Sequence, residues 1–156
     1  MSLPLHPNYP DVAELWGWKT QAWFDVWSIE HFFMGIGLGG IAFLLRRTYF
    51  KANGFDDKTA RRLDLLIVMC FSYFWETIEH YLEAGAAAPG ITFWFQGVEF
   101  WGNRLITDPL MVYLGWLAYC RYPKIQLPSR LFSLGWLYVH IFVFPHSMYL
   151  HEWLQK

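Results

Sequence analysis

The 156-residue chain is 55% hydrophobic and 21% aromatic with a net charge of −1, a length that holds one domain and a composition too apolar for an ordinary soluble one. The near-zero charge, and the lack of any basic strip interleaved with aromatics, exclude nucleic acid as a partner. Cys70 and Cys120 lie in apolar runs without CxxC spacing, which excludes a disulfide framework or thiolate metal site and leaves both as packing residues.

Residues 1–18 have no basic stretch followed by an apolar one, so the first membrane helix serves as its own insertion signal. Pro4, Pro7 and Pro10 precede the amphipathic run Asp11–Trp18, which predicts a lead-in over residues 1–22 lying along the membrane surface. The apolar character of 23–45 is long enough to cross a core of about 30 Å at about 1.5 Å per residue. Gly35 and Gly39 within it form a small-xxx-small pair that admits a neighbouring helix. A polar loop with Asn53-Gly54 separates it from a second helix over 63–82. The small-residue break at 84–90 leads to an aromatic segment, 91–101, interrupted by Gln96, Gly97 and Glu99, which is placed in the interface or as a re-entrant piece. For the third helix, 103–120, two readings are open: Pro109 is absorbed as a kink, or Asp108 caps a helix with proline at its first position. The fourth runs over 131–149, bent at Pro145. The expected fold class is thus all-α, a polytopic four-helix transmembrane bundle spanning residues 1–156 as a single domain.

The loops 46–62 and 121–130 hold nine of the twelve lysines and arginines, which by the positive-inside rule makes them cytoplasmic and both termini extracytoplasmic. Ten of the thirteen acids and all six histidines then fall outside or in the outer half of the bilayer. The centre of this segregation is Trp75-Glu76-Thr77-Ile78-Glu79-His80-Tyr81-Leu82-Glu83. On a helix Glu76, Glu79, His80 and Glu83 share one face. A charge at mid-bilayer costs roughly 2.5–3.5 kcal/mol even on a lenient scale, so that face needs a cavity, a partner or a cation.

Bundling brings Glu30 or His31, the Glu76 face, Asp108 and His140 to similar depth. Carboxylates with imidazoles suit Fe, Mn or Zn, and the candidate ligands are His31, Glu76, Glu79, His80, Asp108 and His140. Glu76 and Glu79 are the candidate acid/base groups. Neither the Glu-x-x-His pair of di-iron bundles nor HExxH is present. The bland readings stand beside this one: a hydrogen-bonded core role for His31 and His140, wet interfacial positions for His146 and His151, solvated Glu83 and Glu99, and a helix cap at Asp108.

His31-Phe32-Phe33-x-Gly35, Trp75-Glu76-x-x-Glu79-His80, Gln96-Gly97-x-Glu99-x-Trp101 and Asp108-Pro109-Leu110-Met111-x-x-Leu114-Gly115 together resemble the YjdF-like bacterial inner-membrane proteins and, more distantly, VanZ-like proteins. The chain departs from that pattern at His80, Val98 and Asn103, and in a longer connection before the third helix. The resemblance implies that these polar residues form one set and names no reaction.

Two functions follow. One is a membrane enzyme, metal-dependent or acid/base, acting on a lipid or apolar substrate; the other is an accessory subunit that docks through Gly35 and Gly39 against another membrane subunit or a second copy of the chain. The orientation has a direct check. In a background lacking Cys70 and Cys120, a cysteine placed at Asn53 should resist a membrane-impermeant thiol reagent added from outside, and its modification would reverse the assignment.

Overall fold

A computed structural model describes residues 14–86, 95 and 97–143; Gln96, Pro145, His146 and His151 lie outside the described residues. The described chain is all-α apart from two short strands, β1 (Glu14–Trp16) and β2 (Ala22–Phe24), which pair in parallel. Residues 1–13 of the expected surface-lying lead-in fall outside the described residues, Leu15 and Trp16 are exposed as expected, and the stretch from Lys19 departs from the expectation by turning inward. Lys19 and Ala22 are buried, and the Phe100 N–H donates to the Lys19 carbonyl at 2.8 Å.

Helix α1 (Val26–Leu45) begins at a capping box: Asp25 accepts from the Trp27 and Ser28 N–H groups at 2.7 and 3.0 Å, and the Ser28 hydroxyl accepts from the Asp25 N–H at 3.2 Å. It runs on into a π-helical turn, Arg46–Phe50. Helix α2 (Asp57–Glu83) starts earlier than residue 63 because Asp56 caps it, accepting from the Lys58 and Thr59 N–H groups. Hydropathy overlooks this charged first stretch. Hydrogen bonds from the Thr59 hydroxyl and from backbone N–H groups hold the Asp56 carboxyl below its usual range.

Helix α3 is continuous through Pro109: a π turn, Asn103–Thr107, passes into Asp108–Arg121. Proline has no N–H for the carbonyl four residues back, which is that of Leu105. The Tyr73 hydroxyl donates to that carbonyl at 3.2 Å, so α2 satisfies the acceptor that Pro109 leaves open. Asp108 is therefore inside a helix and does not cap one. A 3-10 turn (Pro123–Ile125) leads to α4 (Gln126–Tyr138), which ends in a π turn, Val139–Val143.

Helix α1 is central, and its glycines seat two neighbours. On one side a Cβ at Gly35 would lie 2.0 Å from the Val112 carbonyl oxygen, one at Gly115 2.0 Å from that of Phe32, and one at Gly39 2.9 Å from the Tyr119 ring. Residue numbers rise together along this contact, so α1 and α3 are parallel. On the other side Gly37 and Gly40 receive Arg130 and Gln126, and the Trp136 indole N–H donates to the Val26 carbonyl at 3.2 Å. That contact runs antiparallel, as does the one with α2, where Arg46 meets Asp64 at 3.0 Å.

The distribution of side chains is inverted relative to a water-soluble bundle. The buried residues of α2 are Ala60, Asp64, Val68, Ser72, Glu76, Glu79 and Glu83, while Leu66, Phe71, Phe74 and Trp75 point outward. Cys70 and Cys120 are exposed too, which corrects their reading as packing residues. Among the described residues one helical segment, Val26–Phe50, is long and apolar enough to cross a membrane.

The glycine contacts yield a paired prediction. Gly115→Ala should destabilise the protein by about 1–3 kcal/mol through overpacking. Gly135→Ala, with nothing within 4 Å of the added carbon, should be neutral or stabilising by up to about 1 kcal/mol. Unfolding midpoints in detergent would report both.

Candidate polar site

The face of α2 that carries Glu76, Glu79 and Glu83 turns into the bundle, and three other segments meet it. Helix α1 supplies Asp25 and His31, the connection after α2 supplies Glu99, and α3 supplies Asn103, Arg104 and Asp108; all of these are buried. The lead-in adds Lys19, 1% exposed.

One edge of the cluster is held by ion pairs at Glu83. Glu83 accepts from both Lys19 and Arg104 in short ion pairs, and from the Glu99 N–H at 3.0 Å. Lys19 also lies 5.4 Å from the Phe95 ring centroid. Beside it, the Ser28 hydroxyl contacts the Asn103 carbonyl oxygen at 3.3 Å and the Asn103 amide donates to Glu99 at 3.1 Å. A polar chain thereby links the cap of α1 to the connection.

Deeper in, pairing fails. His31 Nδ1 is 3.4 Å from Glu76 Oε1, and His31 Nε2 is 3.3 Å from Asp108 Oδ2. Both oxygens of Glu76, both of Asp108, one of Glu99 and the Nδ1 of His31 lack a hydrogen-bond partner among the described residues. Ligand atoms of His31, Glu76 and Glu79 lie within 4.8 Å of one another, as do those of Glu76, Glu99 and Asp108. Two ligands bound at 2.0–2.2 Å are at most about 4.4 Å apart, so a slight rotation of the side chains closes either set on an ion. Glu76 belongs to both sets.

Charge points the same way. Asp25, Glu76, Glu79, Glu83, Glu99 and Asp108 face two permanent cations, Lys19 and Arg104; both are engaged at Glu83, and Arg104 Nε also lies 3.8 Å from Glu99 Oε2. The remaining carboxylates need protons or a bound cation, because an uncompensated buried charge is untenable.

The candidate set is therefore revised. His31, Glu76, Glu79 and Asp108 are brought together. His80 is not among them: its side chain is exposed and its Nδ1 lies 2.9 Å from an Arg104 guanidinium nitrogen. His140 is also elsewhere, on α4, with its ring 4.2 Å from that of Trp136 and its Nδ1 2.8 Å from the Trp136 carbonyl oxygen. Glu30 turns to α4, where it accepts from Ser133. Glu83 and Glu99 are buried, not solvated. Lys19 and Arg104 were missed as site residues. Their signal was present: with Lys156, they are the basic residues that fall outside the two basic loops.

The two kinds of carboxylate should respond oppositely to amidation. Glu83→Gln strips two buried cations of their shared partner and should cost about 3–5 kcal/mol. Glu76→Gln, measured after chelation, should leave the melting midpoint unchanged or raised, because it removes an unpaired carboxyl. No protein-family model, curated protein or solved structure matches this chain, and the geometry of the cluster is what bears on its function.

Proposed function

We propose that the chain is a multi-pass protein of the cell inner membrane, with both termini extracytoplasmic, whose outer-half cluster binds a divalent cation, Fe, Mn or Zn. His31 Nδ1, Glu76 and Glu79 are the ligands. Asp108, beside His31 Nε2, orients the imidazole as an outer carboxylate orients a metal-bound histidine. Glu99 is a further oxygen donor within reach of Glu76. On this reading the protein is a membrane enzyme that acts on a lipid or apolar substrate at the bound ion. A bound cation would polarise a substrate oxygen or acidify a bound water.

The observation that carries the reading is Glu76: 1% exposed, with both oxygens unpartnered among the described residues and common to both ligand sets. The multi-pass reading is supported by the outward apolar faces of every helix. Ile41 and Leu44 on α1, Phe74 on α2, Leu110 on α3 and Leu134 on α4 are all exposed, an area that water does not tolerate on a monomer and lipid does. An apolar layer of Ala42, Val68 and Val112, backed by Met34, Leu38 and Trp116, lies between the cluster and the basic loops, which supports access from the outer side. The residues shared with the YjdF-like pattern, His31, Glu76, Glu79, Glu99 and Asp108, are those that gather here. The accessory-subunit alternative needs an open glycine strip, but α3 covers Gly35 and Gly39.

Elemental analysis of the detergent-purified protein is the test. The wild type should carry a stoichiometric divalent metal, Glu76→Gln and His31→Ala should lose most of it, and His80→Ala should retain it. A metal-free wild type, or equal metal content in all four proteins, would overturn the proposal.

A further inference from the structure

At the opposite end of the bundle the π turn of α1 meets the first turns of α2 around a cavity of about 480 Å³ lined by Phe43, Arg46, Arg47, Lys51, Asp57 and Arg61. The turn's wide closure, with the Lys51 N–H donating to the Arg46 carbonyl at 3.0 Å, brings Lys51 back towards the side of Arg46. On α2, Asp57 and Arg61 are four residues apart and share a face.

Part of this charge is internally matched. Lys51 pairs with Asp57 at 2.6 Å and Arg46 with Asp64 at 3.0 Å. Arg47 and Arg61 are exposed and form no ion pair among the described residues. Two uncommitted guanidiniums at a concave site form a receptor for phosphate oxygens, which they bind through forked, charge-assisted hydrogen bonds.

We infer that this cavity binds the phosphodiester headgroup of an anionic phospholipid. Phosphate could also come from solution, but the wall favours lipid. Phe43 is half-exposed, and Leu44 and Leu45 beside it face outward, so an apolar surface for an acyl chain adjoins the cationic mouth. The cavity also lies at the end of Val26–Phe50, the segment with a membrane-spanning profile, at the depth where anionic headgroups concentrate. The inference rests on the membrane reading and is independent of the metal reading.

The test uses the full chain in a neutral detergent, titrated with phosphatidylglycerol or phosphatidylcholine, with bound lipid counted by native mass spectrometry. Wild type should prefer phosphatidylglycerol, and Arg47→Gln with Arg61→Gln should weaken that preference by roughly fivefold per arginine. Arg121→Gln with Lys124→Gln makes the same charge change away from the cavity and should leave the preference intact. Equal binding of the two lipids by wild type, or an equal loss in the control, would overturn the site. Displacement of phosphatidylglycerol by an equal concentration of inorganic phosphate would overturn the lipid as its source. Arg46 is left in place because it holds the buried Asp64. If the Asn53 labelling pattern stands while lipid preference is absent, the cavity inference fails alone and the membrane reading survives.

Discussion

Glu83 holds one end of the molecule together. One buried carboxylate accepts from Lys19 of the lead-in, from the Glu99 N–H of the connection and from Arg104 of α3, so four segments distant in sequence meet at its two oxygens. In a low-dielectric interior such a group is tolerated only with its partners in place. That requirement draws Lys19 inward, with the β1–β2 pair behind it. It also folds Glu99 into the bundle.

Helix α1 makes this gathering geometrically feasible. Glycines on two sides let α3 approach to backbone contact and let the long polar side chains of α4 lie across the helix surface. Close approach of α1 and α3 sets His31 and Asp108 at contact distance, and the antiparallel packing of α2 brings Glu76 to the other side of the same imidazole. With both polar partners of His31 fixed by helix packing, the inner cluster is a consequence of backbone spacing. Its unpaired oxygens remain because Lys19 and Arg104 are engaged at Glu83 and Glu99.

The two ends of the bundle are chemically opposite. Unpaired carboxylates collect at one end and unpaired guanidiniums at the other, with the Ala42, Val68 and Val112 layer between them. Along α2, Asp64 lies one turn on one side of Val68, and Glu76 about 12 Å away on the other at about 1.5 Å per residue. The proposed cation site and the proposed anion site are kept from neutralising one another by that apolar layer.

Much of this was legible without coordinates. The 3.6-residue period placed Glu76, Glu79, His80 and Glu83 on one face, and the cost of desolvating a carboxylate marked that face as interior. The glycine spacing in α1 marked a close helix contact. Tertiary structure alone decided which partners those groups take. Periodicity put His80 on the Glu76 face as well, yet its side chain is exposed and its Nδ1 meets Arg104 of α3 at the margin of the cluster. His140 has the right chemistry at a similar depth, but it is held in an aromatic stack on a helix facing another side of α1. Glu83, Glu99, Lys19 and Arg104 join the site through contacts 16 to 64 residues apart, and no local periodicity encodes a pairing of that range. Helix periodicity determines the face a residue occupies; the packing of the other helices determines what that face meets.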